Sequence, residues 1–318
     1  METIKVGISA CLLGKPVRYD GGHKWDRYIT DTLGRHMTWV PVCPEVEYGL
    51  PVPREAMRLV GDAAAPRLVT IKTGIDHTEG MQAWAAQRLD ALAEENLCGF
   101  LFKSRSPSSG MAAVKVYGGT GAPSHKGVGL FARAFMDRFP LLPVEDEGRL
   151  HDPVLRENFI ERLFVYRRWQ RLIQEGLTPK KLVAFHQAHK LLIMSHSTKH
   201  LTFLGRIVAR ADQAAGGTAG SPQGEYITLL MEALRLTATP KKHANVLMHM
   251  LGYFKKRLEP DEKQEILEVI DRYRVGQIPL VAPLILLSHY VRKFAEPYLA
   301  GQVYLHPHPQ ELMLRNHV

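Results

Sequence analysis

Apolar residues in the first half of the chain come in short dense runs separated by polar loops. Ile4–Ser9 reads as a buried strand, and residues 37–42 as a second that ends at Cys43. Residues 67–73 alternate apolar and polar positions as a half-exposed strand does, and residues 99–103 form a further buried run. Between them, residues 25–36, 78–96 and 127–139 space their apolar positions three and four apart. In the middle one Trp84, Leu89 and Leu92 share one side and charges take the other, the signature of an amphipathic helix. Strands alternating with helices predict an α/β domain on a largely parallel sheet.

Past residue 153 the period is helical throughout, with helices expected at 154–175, 179–194, 198–214, 224–236, 240–258, 261–275 and 284–294. Thr178-Pro179 and Thr239-Pro240 place a capping residue just before a proline at the first helical position. Residues 215–222 are small and read as a flexible loop by composition. The proline-bearing acidic stretch 140–153, with Glu145-Asp146-Glu147, is taken as the boundary. The fold class is therefore α/β, an N-terminal parallel-sheet α/β domain (1–145) followed by an all-α helical domain (150–318).

Charge sharpens this division. Residues 1–150 hold 18 Lys/Arg against 17 Asp/Glu, and the remainder holds 23 against 15, together with eleven of the fifteen histidines. A basic domain beside a neutral one suits chemistry in one part and a polyanion in the other, although a solvated basic face gives the same count. The longest apolar run, 278–288, is broken by Pro279 and Pro283 and is too short to span a bilayer. The first residues enter a strand without a signal-peptide layout, and three cysteines form no paired framework. The expectation is a cytoplasmic protein with no membrane segment and no protein partner implied.

In a parallel sheet the carboxyl ends of the strands share one edge, where ligands bind. Cys11 and Cys43 each directly follow a strand and sit among Gly, Pro, Arg and Glu, whereas Cys98 precedes its strand and is expected at the opposite edge. Two thiolates on neighbouring loops suit a soft metal or an iron–sulfur cluster, yet their spacing matches no compact zinc motif. Arg18, Asp20, Arg54 and Lys103 flank these loops as substrate or phosphate contacts. The turn at 118–121, with Lys115 and Lys126, either offers backbone N–H groups to an anion or is a plain turn.

Three motifs carry a resemblance: Cys11-Leu12-Leu13-Gly14 with Val17-Arg18-Tyr19-Asp20-Gly21; Cys43-Pro44-Glu45 with Gly49-Leu50-Pro51 and Pro53-Arg54; and Lys103-Ser104-Arg105-Ser106-Pro107-Ser108-Ser109-Gly110. They resemble the signatures of the thiouracil desulfidase family. His243-Ala244-Asn245-Val246-Leu247-Met248-His249 and Gly252-Tyr253-Phe254-Lys255 make the second half similar to the YbgA-type domain. The two joined resemble RNA desulfidases that remove sulfur from 4-thiouridine in tRNA. The resemblance implies a 4Fe–4S cluster on three cysteines, the first two mapping to Cys11 and Cys43 and the third to position 109, where this chain has Ser109. A serine hydroxyl is a hard, neutral donor and a poor substitute for thiolate on iron. This copy is thus expected to be impaired or silent, whether as a variant changed at one position or as a natural member. The resemblance also implies Glu45 as general base toward water, with Ser106 relaying a proton or orienting the base, although Ser106 suits a turn before Pro107 equally well.

In the helical half, Lys180-Lys181, Lys241-Lys242-His243 and Lys255-Lys256-Arg257 cluster at helix starts and ends. Tyr166-Arg167-Arg168-Trp169 interleaves aromatic and basic groups as RNA contact requires. Read alone it is as well a core tryptophan with solvated arginines, and the resemblance turns the reading toward tRNA contact through Arg168, Lys242, Lys255 and Lys256. His186, His189, His196 and His200 are read as packing residues rather than a zinc set. Two alternatives stand beside tRNA desulfuration: a small-molecule thiouracil or thiouridine-nucleotide desulfidase, and a non-catalytic RNA-binding protein.

Overall fold

Strand β1 (Ile4–Ser9) is flanked on both sides by parallel partners, and five of its six residues are buried. The computed structural model, which describes residues 4–118, 122–210 and 222–317, places it in a sheet of order β2–β1–β5–β8. Here β2 is Met37–Val42, β5 is Phe100–Phe102 and β8 is Val144–Asp146, and every pairing is parallel. A strand covered on both faces reads as a continuous apolar run, which is why β1 and β5 are plain in the sequence. Gly7 lets β5 approach, since a Cβ there would stand 2.2 Å from the Phe100 ring. Phe100, Phe102, Phe131 and Phe135 then form the aromatic core on one side of the sheet.

The chain moves from β1 to β2 on one side and later to β5 on the other, so the order reverses at β1. That reversal opens a crevice at the carboxyl edge. Between β2 and β5 come α1 (Pro44–Glu47), β3 (Met57–Gly61), β4 (Pro66–Thr70) and α2 (Thr78–Ala93). Strands β3 and β4 join β6 (Val114–Tyr117) and β7 (Ser124–Gly127) in a second, mixed sheet of order β4–β3–β6–β7, which the sequence pattern does not foresee. Leu59, Leu68, Val114 and Val116 from that sheet pack with Met81 of α2 and Leu130 of α3 (Leu130–Arg138).

One expectation is corrected in this unit, and the boundary stretch is narrowed to its end. Residues 25–36 form a π-helical turn at Tyr28–Thr32 and a 3-10 turn at Leu33–Arg35, because Asp26 accepts from Ile29 N at 3.1 Å and starts the coil late. The acidic stretch expected as a boundary contains β8, and the division falls between Met1–Asp152 and Pro153–Val318. Glu145 escapes recognition as a strand residue because its buried carboxylate is matched by Arg149 Nε at 2.5 Å.

The second unit is helical among its described residues: α4 (Pro153–Gln174), α5 (Pro179–His196), α6 (Thr198–Ala209), α7 (Pro222–Arg235), α8 (Pro240–Phe254), α9 (Pro260–Arg274), α10 (Val281–Lys293) and α11 (Pro297–Ala300). The prolines sit where foreseen, and Thr178 Oγ1 accepts from Lys181 N at 3.2 Å. Residues 211–221, which include most of the loop expected at 215–222, and residues 119–121 of the glycine turn lie outside the described residues. No described helix is long and apolar enough to cross a membrane.

Candidate active site at the carboxyl edge of the parallel sheet

Each loop of the site is held by its own strand end. After β1 the backbone turns through Ala10–Leu13, and Gly14 closes the turn at φ 83°. The Cys11 carbonyl accepts from Gly14 N and Lys24 N, which fixes the cysteine at the strand end. After β2, Pro44 starts the short α1, while Glu47 accepts from Cys43 N at 2.9 Å and holds Arg88 at 2.9 Å. After β5, the loop 103–110 folds onto the start of α3. The Ser108 carbonyl accepts from Phe131 N and Ala132 N, and Gly129 allows it, since a Cβ there would lie 2.5 Å from Ser108. After β8, Glu147 receives Lys103 Nζ and, at 2.7 Å, both Ser104 N and Ser104 Oγ.

Those four loops wall a cavity of about 840 Å³ whose lining includes Cys11, Cys43, Glu45, Ser106 and Ser109. Glu45 is its hub. One carboxylate oxygen accepts from Ser108 Oγ at 2.6 Å; the other accepts from Cys43 Sγ at 3.5 Å and lies 3.8 Å from Arg54 Nη2. Arg54 also donates to the Val17 carbonyl at 3.0 Å, strapping the Arg18 loop to the site. Ser106 is one step back: its hydroxyl is 3.0 Å from Ser108 Oγ and does not touch Glu45. The missed residue is thus Ser108, with Glu147 behind Lys103. Nothing in the Ser-Pro-Ser-Ser run distinguishes one hydroxyl from another, and Glu147 was hidden in the acidic stretch.

Both thiols are uncharged at neutral pH in this setting. Burial pushes Cys11 up to about 11, with Lys103 opposing, and burial together with the Glu45 carboxylate pushes Cys43 up to about 12. The rim is basic, with Arg18, Lys24, Arg105 and Arg149 around the opening. Arg18 lies 3.5 Å from Asp20, which is half exposed and accepts from Gly22 N, so Asp20 orients the rim rather than lining the cavity. Lys103 is neutralised by Glu147, and the pairing holds that carboxylate below its usual range against the cost of burial.

The three positions at which the resemblance implies an iron–sulfur centre carry two thiols and one hydroxyl. Ser109 is 4% exposed, and its Oγ is 3.4 Å from Ser108 Oγ. Cys98 is no reserve ligand: its amide donates to the Lys5 carbonyl near the amino end of β1, and its side chain is buried there. Among the described residues no group of three His, Cys, Asp or Glu is arranged to hold a metal ion. Two of the three implied positions carry the sulfur donor that a cluster takes, and the third does not.

In the helical unit the expected RNA contacts separate. Lys255 and Lys256 are exposed. Lys242 Nζ donates to the carbonyls of His196 and Thr237, tying the α8 start to the α5 end. Arg168 is corrected: its guanidinium is turned inward to the carbonyls of His306 and Pro307, because Trp169 beside it is a core residue stacked on Tyr226. His186, His189 and His196 are packing residues as read, though a carboxylate does reach one of them, Glu161 at 2.6 Å from His196 Nε2.

Comparison with known proteins adds to this geometry. Residues 6–147 match the family of 2-thiouracil desulfurase, and residues 190–309 match a protein family of unknown function, DUF1722. The uncharacterized protein YbgA of Escherichia coli is 34% identical over 155 residues, 49% of this chain and 90% of that protein. A solved structure, a [4Fe-4S]-dependent thiouracil desulfidase TudS, is 32% identical, with 47% of this chain and 95% of that chain covered and a TM-score of 0.40.

Proposed function

Because the chain belongs to the family of YbgA and carries a 2-thiouracil desulfurase domain ahead of its DUF1722 domain, we propose that its sheet-edge cavity takes a thiouracil-type base, presented as 4-thiouridine in tRNA. The reaction class is non-redox: water adds at the ring carbon that bears sulfur and hydrogen sulfide leaves, so a thiocarbonyl becomes a carbonyl. The observation that carries this reading is the convergence on Glu45. A carboxylate that accepts from Ser108 on one oxygen and faces the Cys43 thiol with the other is oriented to take a proton from an attacking water. Ser106 stands behind Ser108 and positions it.

The basic rim supports a substrate that brings phosphate with it, and the surplus of cations past residue 150 supports a long polyanion over a free base. With Ser109 at the third ligand position, the iron–sulfur centre of the family is short of a thiolate, and this copy turns over slowly or not at all.

The test is anaerobic purification of this chain and of its Ser109→Cys variant. Iron and sulfide content, and sulfide release from tRNA bearing 4-thiouridine and from free thiouracil, are read for both. The cysteine variant is expected to fill with iron and to release sulfide from the tRNA, with the serine form far behind on both measures. Equal iron and equal turnover in the two would overturn the assignment of position 109, and turnover of free thiouracil alone would overturn the tRNA substrate.

A further inference from the structure

Helix α6 carries an exposed aromatic residue between cations. Phe203 is 38% exposed, with Lys199 Nζ 5.8 Å and the Arg206 guanidinium 5.6 Å from its ring centroid. Arg210, one turn further along the same face, lies 3.8 Å from Glu225 of α7, and both side chains are more than half exposed. The spacing of four, three and four residues puts Lys199, Phe203, Arg206 and Arg210 on one stripe, while Leu204 and Ile207 face the core. Beside the stripe, between α6 and α7, runs an open groove of about 730 Å³ lined by Phe203, Arg206, Ile207, Arg210 and Leu229.

This is the arrangement that the sequence pattern at 166–169 suggests and that the fold there buries. On α6 it stands in solvent. An exposed ring with guanidinium and ammonium groups over it offers a face for a flat base and charges for the phosphates on either side. Glu225 is the one acidic residue of the groove lining, and its exposed pairing with Arg210 is weak enough to yield to a phosphate.

We infer that the α6 stripe is a contact for single-stranded RNA, with an unstacked base on Phe203 and flanking phosphates on Lys199, Arg206 and Arg210. This rests on the tRNA reading above and names the part of the helical unit that engages it.

The experiment measures affinity of the full chain for a 4-thiouridine-bearing tRNA at several salt concentrations. Wild type, Phe203→Ala, Phe203→Trp and the triple variant Lys199→Ala/Arg206→Ala/Arg210→Ala are compared, each checked for helicity by circular dichroism. Phe203→Ala is expected to weaken binding roughly ten- to hundredfold, and Phe203→Trp to keep it. The triple variant should flatten the salt dependence by about two units of slope, as three fewer counterions released from a single strand require. If wild type binds and all variants bind alike, the α6 assignment fails and the tRNA reading stands. Wild type that does not bind tRNA overturns both. Binding of anionic phospholipid vesicles that is lost in the triple variant, with tRNA affinity unchanged, makes the stripe a membrane contact and overturns the RNA assignment.

Discussion

The two units treat their ionisable groups in opposite ways. At the sheet edge Glu45 and Arg54, both after β2, and Lys103, after β5, line an open cavity, with Glu147, after β8, paired behind Lys103. In the helical unit Glu157, Glu161, His196 and Arg315 meet in the interior and pair with one another: Arg315 Nε donates to Glu157 at 2.9 Å, Arg315 Nη2 lies 3.6 Å from Glu161, and His196 Nε2 lies 2.6 Å from Glu161. A histidine-rich, charge-rich sequence is therefore no guide to a site. What separates the two is whether the polar groups leave an acceptor or donor facing space that a ligand can enter.

The largest test of that contrast removes one member of the buried set. Burial alone would raise Glu161, but His196 and Arg315 outweigh it and hold the carboxylate down at about 2. Glu161→Ala leaves Arg315 and His196 short of a buried partner and is expected to destabilise the helical unit by about 3–5 kcal/mol. Urea denaturation followed by far-ultraviolet circular dichroism measures it; a loss below about 1 kcal/mol, the size of an exposed pair, would dissolve the contrast between the two units.

Acid sharpens the comparison next. Burial pushes His189 and His243 down to about 3 and His186 and His308 down to about 4. In the unfolded chain these rings take protons near pH 6.5, while the folded chain refuses them until pH 3–4, so stability falls as pH drops below about 6.5. The slope reaches at most about 5 kcal/mol per pH unit if all four titrate together. No described histidine of the first unit is buried, so the acid transition should appear in the signal of the helical unit, read by tryptophan fluorescence of Trp169. An acid midpoint that leaves Trp169 native while the first unit unfolds would reverse this assignment.

Within the cavity the effects are on function more than on stability. In the Ser109→Cys background, Glu45→Gln should lower sulfide release about 10²–10⁴-fold with iron content unchanged. Ser108→Ala, which deletes the 2.6 Å bond to Glu45, should cost about ten- to hundredfold. Ser106→Ala should cost less than Ser108→Ala, and the reverse ranking would restore Ser106 as the primary partner. Gly129→Ala, whose added Cβ would press on the Ser108 backbone, should reduce turnover comparably while lowering the unfolding free energy by about 1–3 kcal/mol.

The parallel strands β1 and β5 and nearly every helix of the second unit were legible because burial on both faces, or a 3.6-residue period, writes itself into composition; β2, at the sheet edge, was legible from its short apolar run ending at Cys43. β3, β7 and β8 were not: β7 has three exposed residues of four, and β8 is three residues long and acidic. That Cys11, Cys43, Glu45, Lys103 and Arg54 line one cavity was legible because strand ends and proline turns mark the edge where a crevice opens. Ser108 was not, since only the fold of the loop onto α3 tells it from Ser106. Arg168 was placed on RNA by an interleaved pattern whose tryptophan belongs to the core, and Phe203 went unremarked because its cations are a turn away in sequence on either side.

Glu147 has a practical bearing on any attempt to isolate the first unit. A fragment trimmed at residue 145 or 146, where the acidic run invites a cut, would discard the carboxylate that receives Lys103 and Ser104. The lysine would then swing into the crevice as a bare cation, and the amputated fragment would attract anions for reasons unrelated to its substrate. A cut after Asp152 keeps the clasp whole.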